Sequence, residues 1–298
     1  MLEWTRKARL IHAACLLICL LGAGCGGTGG RSFIPNPPPS SSHVFVVIEE
    51  NHSYSDVIGN SAMPYLNGLA SKYGLATQYF ANVHPSLGNY LVLTTGQIET
   101  TDDAFTGEIA ADNVVRELVK ANKTWRSYAE SLPNPGYLGG DVYPYAKHHN
   151  PFAYFSDVVG TPQSANVVPF SQFSADLANG GLPDFSFIIP NLINDAHDGT
   201  LATADQWLAA NIDPLIHSNG FQQNGLLIVV FDESDGSDIA HGGGHIPMVI
   251  VGPQVKSGFQ STTFYQHQST LRLVLSTLGV TSFPGAASSA PDMGEFFK

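Results

Sequence analysis

Three apolar runs frame this chain, and each one ends in acids, amides or histidines. Residues 44–48 read Val-Phe-Val-Val-Ile and pass into Glu49, Glu50, Asn51 and His52. Residues 226–231 read Leu-Leu-Ile-Val-Val-Phe and pass into Asp232, Glu233, Ser234 and Asp235. Residues 185–189, Phe-Ser-Phe-Ile-Ile, lead through 190–194 to Asp195, His197, Asp198 and Gly199. Short β-branched and aromatic runs of this kind are the pattern of strands buried on both faces, as in a parallel sheet. Ligands of open α/β sheets gather beyond the carboxyl ends of the strands. Distant segments therefore deliver oxygen and imidazole groups to one edge, which points to a metal-assisted hydrolytic site.

The intervening pattern predicts helices over 63–73, about 87–95, 114–129, 201–216 and 268–278, with further strands at 77–82 and 246–251. Pro64 suits the first turn of its helix and Gly74 its stop. In 114–129, Leu118, Trp125 and Tyr128 share the apolar side; in 201–216, Trp207 and Leu208 point inward. Residues 131–180, rich in Pro, Gly, Asn and aromatics, read as loops and a short helix covering the active-site edge. The alternation predicts an α/β fold, a mostly parallel central sheet flanked by helices on both faces.

The first 24 residues change the picture of where this domain works. Arg6, Lys7 and Arg9 precede an apolar stretch over 11–21, too short to span a bilayer comfortably, followed by Gly22, Ala23, Gly24 and Cys25. That is the order of a cleavable export signal. Its end resembles a bacterial lipobox, which implies lipidation at Cys25 and a periplasmic or cell-envelope location, with the membrane touched only through that anchor; the alternative is plain secretion without lipid. Cys15, Cys19 and Cys25 are the chain's three cysteines, so the body holds neither disulfide nor thiolate site. Residues 25–42, rich in Gly, Pro and Ser, read as a flexible tether, and 43–298 as one catalytic domain. With 43% hydrophobic residues the domain has ample core, and a net charge of −12 argues against a nucleic-acid partner.

Candidate chemistry follows from the strand ends. Glu50 and Asn51 offer hard oxygen ligands for a divalent cation, although Asn51 would serve equally as a helix cap. Asp232 and Glu233 are the sharpest pair, because two acids directly after six apolar residues are costly to bury unless paired or metal-bound. Ser86 stands where a helix begins, among free N–H groups that favour a phosphate or an oxyanion; a plain Ser cap is the simpler alternative. Asn89, three residues on, either holds a phosphate oxygen or solvates the helix. His197, Asp198, His241 and His245 complete the set. The run from His241 to His245 encloses three glycines, which allow close backbone approach. Its histidines can bind metal, hold phosphate or protonate a leaving group. The pair His148 and His149 reads as an exposed loop, and His217 and His267 as surface residues.

The segments 47–53, 63–67, 84–91, 195–199, 231–233 and 241–247, in this order, resemble the bacterial phosphoesterase family. That family holds acid phosphatases and phosphatidylcholine-type phospholipases C within the alkaline phosphatase superfamily. The resemblance implies an alkaline-phosphatase-like sheet and a divalent metal (Ca, Mg, Mn or Zn) on Glu50, Asn51, Ser86, Asp232 and Glu233. It also implies that Ser86 is the nucleophile of a phospho-enzyme. His197, Asp198 and His245 would hold phosphate, protonate the leaving group or ligate a second metal. The expected activity is acid-phosphatase-like hydrolysis of phosphomonoesters, with a phospholipase C-type phosphodiesterase as the alternative; the substrate is a small phosphate ester or a phospholipid. Rival readings are a serine esterase, which lacks its Gly-x-Ser-x-Gly elbow here, a sulfatase without its maturation motif, and an inactive surface-binding protein.

Overall fold

The three framing runs form the centre of the sheet. The computed structural model describes residues 37–298; the leader at 1–24 and Cys25 lie outside the described residues. The strands are β1 (Val44–Glu49), β2 (Gly74–Ala76), β3 (Tyr79–Phe80), β4 (Trp125–Ala129), β5 (Val167–Pro169), β6 (Phe185–Ile189), β7 (Leu226–Phe231), β8 (Met248–Val251), β9 (Phe259–Ser261) and β10 (Tyr265–Gln266). Eight of them make one sheet in the order β5-β4-β6-β1-β7-β8-β2-β9, and β3 pairs with β10 apart from it. β1 lies parallel between β6 and β7, with Val46 beside Phe187 and Ile228. Of the main sheet, only β8 runs against its neighbours. The sheet is mostly parallel, and β1, β6 and β7 are buried at every position.

The helices are α1 (Tyr54–Val57), α2 (Pro64–Lys72), α3 (Ser86–Thr95), α4 (Val114–Lys120), α5 (Ser171–Asn179), α6 (Leu201–Asn211), α7 (Asp213–Ile216), α8 (Asn219–Asn224) and α9 (His267–Thr277). Side chains alternate across a strand, so the register assigns faces. Phe45 packs on Phe173 of α5 and Phe221 of α8. Phe187, level with Val46, packs on Tyr90 of α3 on the other face. Helices thus cover both faces. By the same alternation Glu50 and Asp232, one step beyond the paired Glu49 and Phe231, belong to the α3 face. Glu49 points to the opposite one.

Four expectations are corrected. The stretch 114–129 is not one helix: α4 ends at Lys120, Asn122 takes φ +55°, and 125–129 is β4. Asp184 fixes that change, accepting from the Thr124 N–H at 2.8 Å and from Lys123 Nζ at 3.1 Å, which delivers Trp125 to the edge of β6. The helix over 201–216 breaks at Ile212, where Pro214 enters the first turn of α7 and cannot donate to the preceding turn. The 131–180 stretch is more regular than its composition suggests, because it holds β5 and α5. Ser41, placed in the tether, donates its N–H to the Thr277 carbonyl of α9 at 2.8 Å.

Candidate active site

Backbone bonds sew three strand ends together. The Glu50 N–H donates to the Asp195 carbonyl at 2.8 Å, and the Asp232 N–H to the Glu49 carbonyl at 3.0 Å. Beyond β1 the chain turns through Asn51 at φ +51°, a left-handed conformation that Asn tolerates better than most residues. That turn lets the Asn51 N–H reach Asp232 Oδ1 at 3.3 Å, across 181 residues of sequence.

The α3 face completes the site. Ser86 is the first residue of α3, and all ten residues of that helix are buried. Its Oγ donates to Glu50 Oε2 at 3.2 Å, while the Tyr90 hydroxyl, one turn on, donates to Glu50 Oε1. Asn89 donates to Glu233 Oε2 at 3.2 Å and to the Val83 carbonyl at 2.6 Å. Its Oδ1 accepts from the N–H groups of Asn82 and Val83. The amide expected to hold a phosphate oxygen is therefore occupied as a brace between Glu233 and the turn before Ser86. His84 closes the other side, with Nδ1 at 3.2 Å from Glu233 Oε2.

His149 enters from the turn at 147–149 and overturns its reading as an exposed residue. It is 1% exposed and stacked on Tyr90 at 5.1 Å. Nε2 lies 3.5 Å from Glu50 Oε1 and Nδ1 3.5 Å from Asp195 Oδ2. The His148–His149 doublet carries no periodicity to tell its buried member from its partner, so no local signal marks it. Asp195 had a signal, as the first acid after the 185–189 run. His267 is also misread as surface: it is fully buried, and its Nε2–H donates to the Asp232 carbonyl at 2.6 Å. A carbonyl can only accept, so Nδ1 of the neutral ring accepts from the Tyr79 hydroxyl at 3.2 Å.

The histidines singled out by sequence separate into two places. His197 sits at the mouth with its ring 5.8 Å from His149 and Nδ1 2.8 Å from Asp198 Oδ1. His245 lies elsewhere: its ring is stacked between Tyr54 and Phe80, and its Nε2–H donates to the Thr77 carbonyl at 3.0 Å. His241 is exposed against Phe80 and Phe264. Among the described residues, neither His241 nor His245 makes a hydrogen bond or ion pair with the acids of the cluster. The glycines between them serve packing. A Cβ at Gly242 would meet the Asn82 carbonyl at 2.0 Å, and one at Gly244 would meet Ser234 Oγ at 1.9 Å. They let the loop press between the turn before Ser86 and the turn after Asp232.

Burial dominates the electrostatics. It raises the Asp232 carboxyl to about 6 and Asp195 to about 7. Burial, with the charges of Asp232 and Asp103, pushes Glu233 up to about 9. Glu50 is raised by burial and by Asp232 and Asp195, and burial holds His149 well below the usual imidazole range. Asn51 Oδ1, Asp232 Oδ2, Asp195 Oδ2 and His149 Nε2 are buried without a hydrogen-bond partner. Orphaned polar atoms at this density are rare and costly, and a divalent cation is what such a cluster fits. Glu50, Asn51, Ser86, Asp232 and Glu233 supply hard oxygens suited to Mg²⁺, Mn²⁺ or Ca²⁺. Glu50, His149 and Asp195, whose ligand atoms lie within 4.8 Å of one another, add an imidazole, which suits Zn²⁺.

Comparison with known proteins gives the family and the fold. The model of the phosphoesterase family matches residues 60–281. The chain is 34% identical to a phosphatidylinositol-3-phosphatase of Mycobacterium tuberculosis, over 95% of this chain and 91% of that protein. It is 32% identical to an acid phosphatase of Aspergillus fumigatus over 80% of this chain, a match spanning 55% of the fungal protein. Among solved structures it resembles an alkaline phosphatase superfamily protein from Vibrio parahaemolyticus, with a TM-score of 0.58 and 15% identity, covering 82% of this chain and 69% of that one. It also resembles the lipoteichoic acid synthase LtaP of Listeria monocytogenes, with a TM-score of 0.60 and 13% identity, covering 82% and 74%. The structural likenesses carry the fold alone.

Proposed function

Because this chain belongs to the phosphoesterase family and is a phosphoric ester hydrolase, we propose that it cleaves phosphomonoesters through a phosphoserine at Ser86, with a divalent cation on Glu50, Asn51, Ser86, Asp232 and Glu233. The observation that carries this reading is the placement of Ser86 Oγ. A hydroxyl at the start of a buried helix points at Glu50, inside a ring of oxygens that lack partners.

When bound, the cation supplies positive charge that lowers the serine hydroxyl pKa and offsets the negative charge of the phosphate. Ser86 Oγ, beside Glu50 and ionised when the cation is bound, would form the new bond to phosphorus as an alkoxide while the bond to the departing alcohol breaks, and would leave as the alkoxide in the second step. Tyr90, stacked on His149, fixes the Glu50 carboxylate that holds the serine. Asn89 and His84 fix Glu233. His197 donates the proton that the alcohol needs on leaving. It is the histidine singled out by sequence that lies beside His149, whereas His245 is committed to Thr77. Water then attacks the phosphoserine and returns Ser86, with His197 accepting the water's proton.

Ser86→Ala tests this directly. With p-nitrophenyl phosphate as substrate, kcat should fall by about a thousandfold or more, and chelation should abolish turnover in the wild type. Trapping at low pH followed by mass spectrometry should find phosphate on the peptide containing Ser86. Near-normal turnover of the variant, or phosphate on another residue, would overturn the assignment.

A further inference from the structure

We propose that Asp103 is a specificity determinant that biases this site toward phosphate groups carrying a single negative charge. The inference rests on the phosphoesterase reading above and names the charge state of its substrate.

The first turn of a helix normally leaves N–H groups free to meet an anion. In α3 one of these is taken. The N–H of Leu87, the residue after Ser86, donates to Asp103 Oδ1 at 2.9 Å. Asp103 comes from the loop between α3 and α4, 16 positions away, so the contact is tertiary and not a local cap. A fixed carboxylate thus stands where the end of the helix would otherwise attract a second phosphate charge.

Among the described residues, the arginines and lysines nearest in the ion-pair network are committed elsewhere. Arg116 pairs with Asp157, Arg126 with Asp176 and Lys123 with Asp184. Among the described residues no lysine or arginine forms an ion pair with Glu50, Asp103, Asp195, Asp198, Asp232 or Glu233. A phosphate diester carries one charge, and so does a monoester below its second ionisation. A monoester above it carries two. The extra charge meets Asp103 across a few ångströms of partly solvated protein, a repulsion worth roughly tenfold in rate or affinity.

The test uses the full chain, metal-loaded, at a pH above the second ionisation of p-nitrophenyl phosphate. The quantity read is the ratio of kcat/KM for that dianion to kcat/KM for bis(p-nitrophenyl) phosphate. Asp103→Asn keeps an oxygen for the Leu87 N–H and removes the charge; it should raise the ratio about tenfold. Binding of inorganic phosphate, followed by calorimetry at the same pH, should tighten by a similar factor. Asp103→Glu, which keeps the charge, should stay near the wild-type ratio. An unchanged ratio and unchanged phosphate affinity in Asp103→Asn would overturn the proposal, as would an equal shift in Asp103→Glu. A wild type that hydrolyses neither ester would instead sink the phosphoesterase reading, and phosphate affinity would then decide the role of Asp103 alone.

Discussion

His197 shows how much a single side chain's contacts narrow its role. Its Nδ1 faces Asp198 Oδ1 at 2.8 Å, so Nε2 is the atom left to pass a proton. A general acid matters in proportion to how badly the leaving group needs a proton. His197→Asn should therefore lower kcat by about 100-fold or more on an alkyl phosphate and far less on p-nitrophenyl phosphate, whose leaving group departs as a stable anion. Equal losses on the two substrates, measured side by side, would show that His197 does not protonate the leaving group. The same residue-level contrast separates what was legible from what was not. Glu50, Asp232 and Ser86 stood out because each borders an apolar run or a helix start, where an exposed role is unfavourable. His149, His267 and Asp103 lie in stretches whose local pattern is that of loops or a helix end. Only their partners across the fold (Asp195, the Asp232 carbonyl and the Leu87 N–H) reveal them.

Elements fix where those side chains arrive. Strand pairing sets the register of β1 against β7, and alternation then turns Glu50 and Asp232 to the α3 face while Glu49 faces away. The loop after β7 is held by glycine. Gly244 has φ +84°, and a Cβ there would sit 1.9 Å from Ser234 Oγ. Gly244→Ala combines backbone strain with overpacking, and thermal unfolding should show a loss of about 2–4 kcal/mol. Because the loop lies between the segment before Ser86 and the turn after Asp232, kcat should fall as well; a variant as stable as the wild type would mean that the loop yields freely. The same physics explains the misread 114–129 segment. Apolar spacing compatible with a helix continues past Lys120, but Asp184 binds Lys123 and Thr124, and pairing with β6 rewards Trp125–Ala129 as a strand. Local periodicity carries no information about a neighbouring strand waiting for a partner.

For the whole molecule, the acid cluster couples pH to stability and, on the proposed reading, couples both to metal. The folded-state carboxyls of Asp232, Asp195 and Glu233 lie at about 6, 7 and 9, above their ordinary values of 3.8, 3.8 and 4.5. The folded protein thus holds protons that the unfolded chain releases, so raising the pH favours unfolding. Stability of the chelated protein is greatest below about pH 4 as far as these groups are concerned. It is lost progressively as pH rises from there through 9. A cation replaces the missing positive charge, so the metal-loaded protein should have a higher Tm, by a margin that widens with pH. Melting curves across pH 5–9 with and without chelator check this; a chelated Tm that rises with pH would contradict it. The chain's own pattern determined the sheet-forming runs, the acids and the serine at their ends, and the family likeness. Those features are written in short windows, through burial and through the cost of placing charge beside apolar residues. Tertiary structure alone decided that His149 and Asp195 join Glu50, that His245 leaves the site, that Asn89 braces instead of binding, and that Asp103 takes the Leu87 N–H. Each of those outcomes depends on strand order and on contacts between segments far apart in sequence, where the energy of one residue is set by partners that no local pattern encodes.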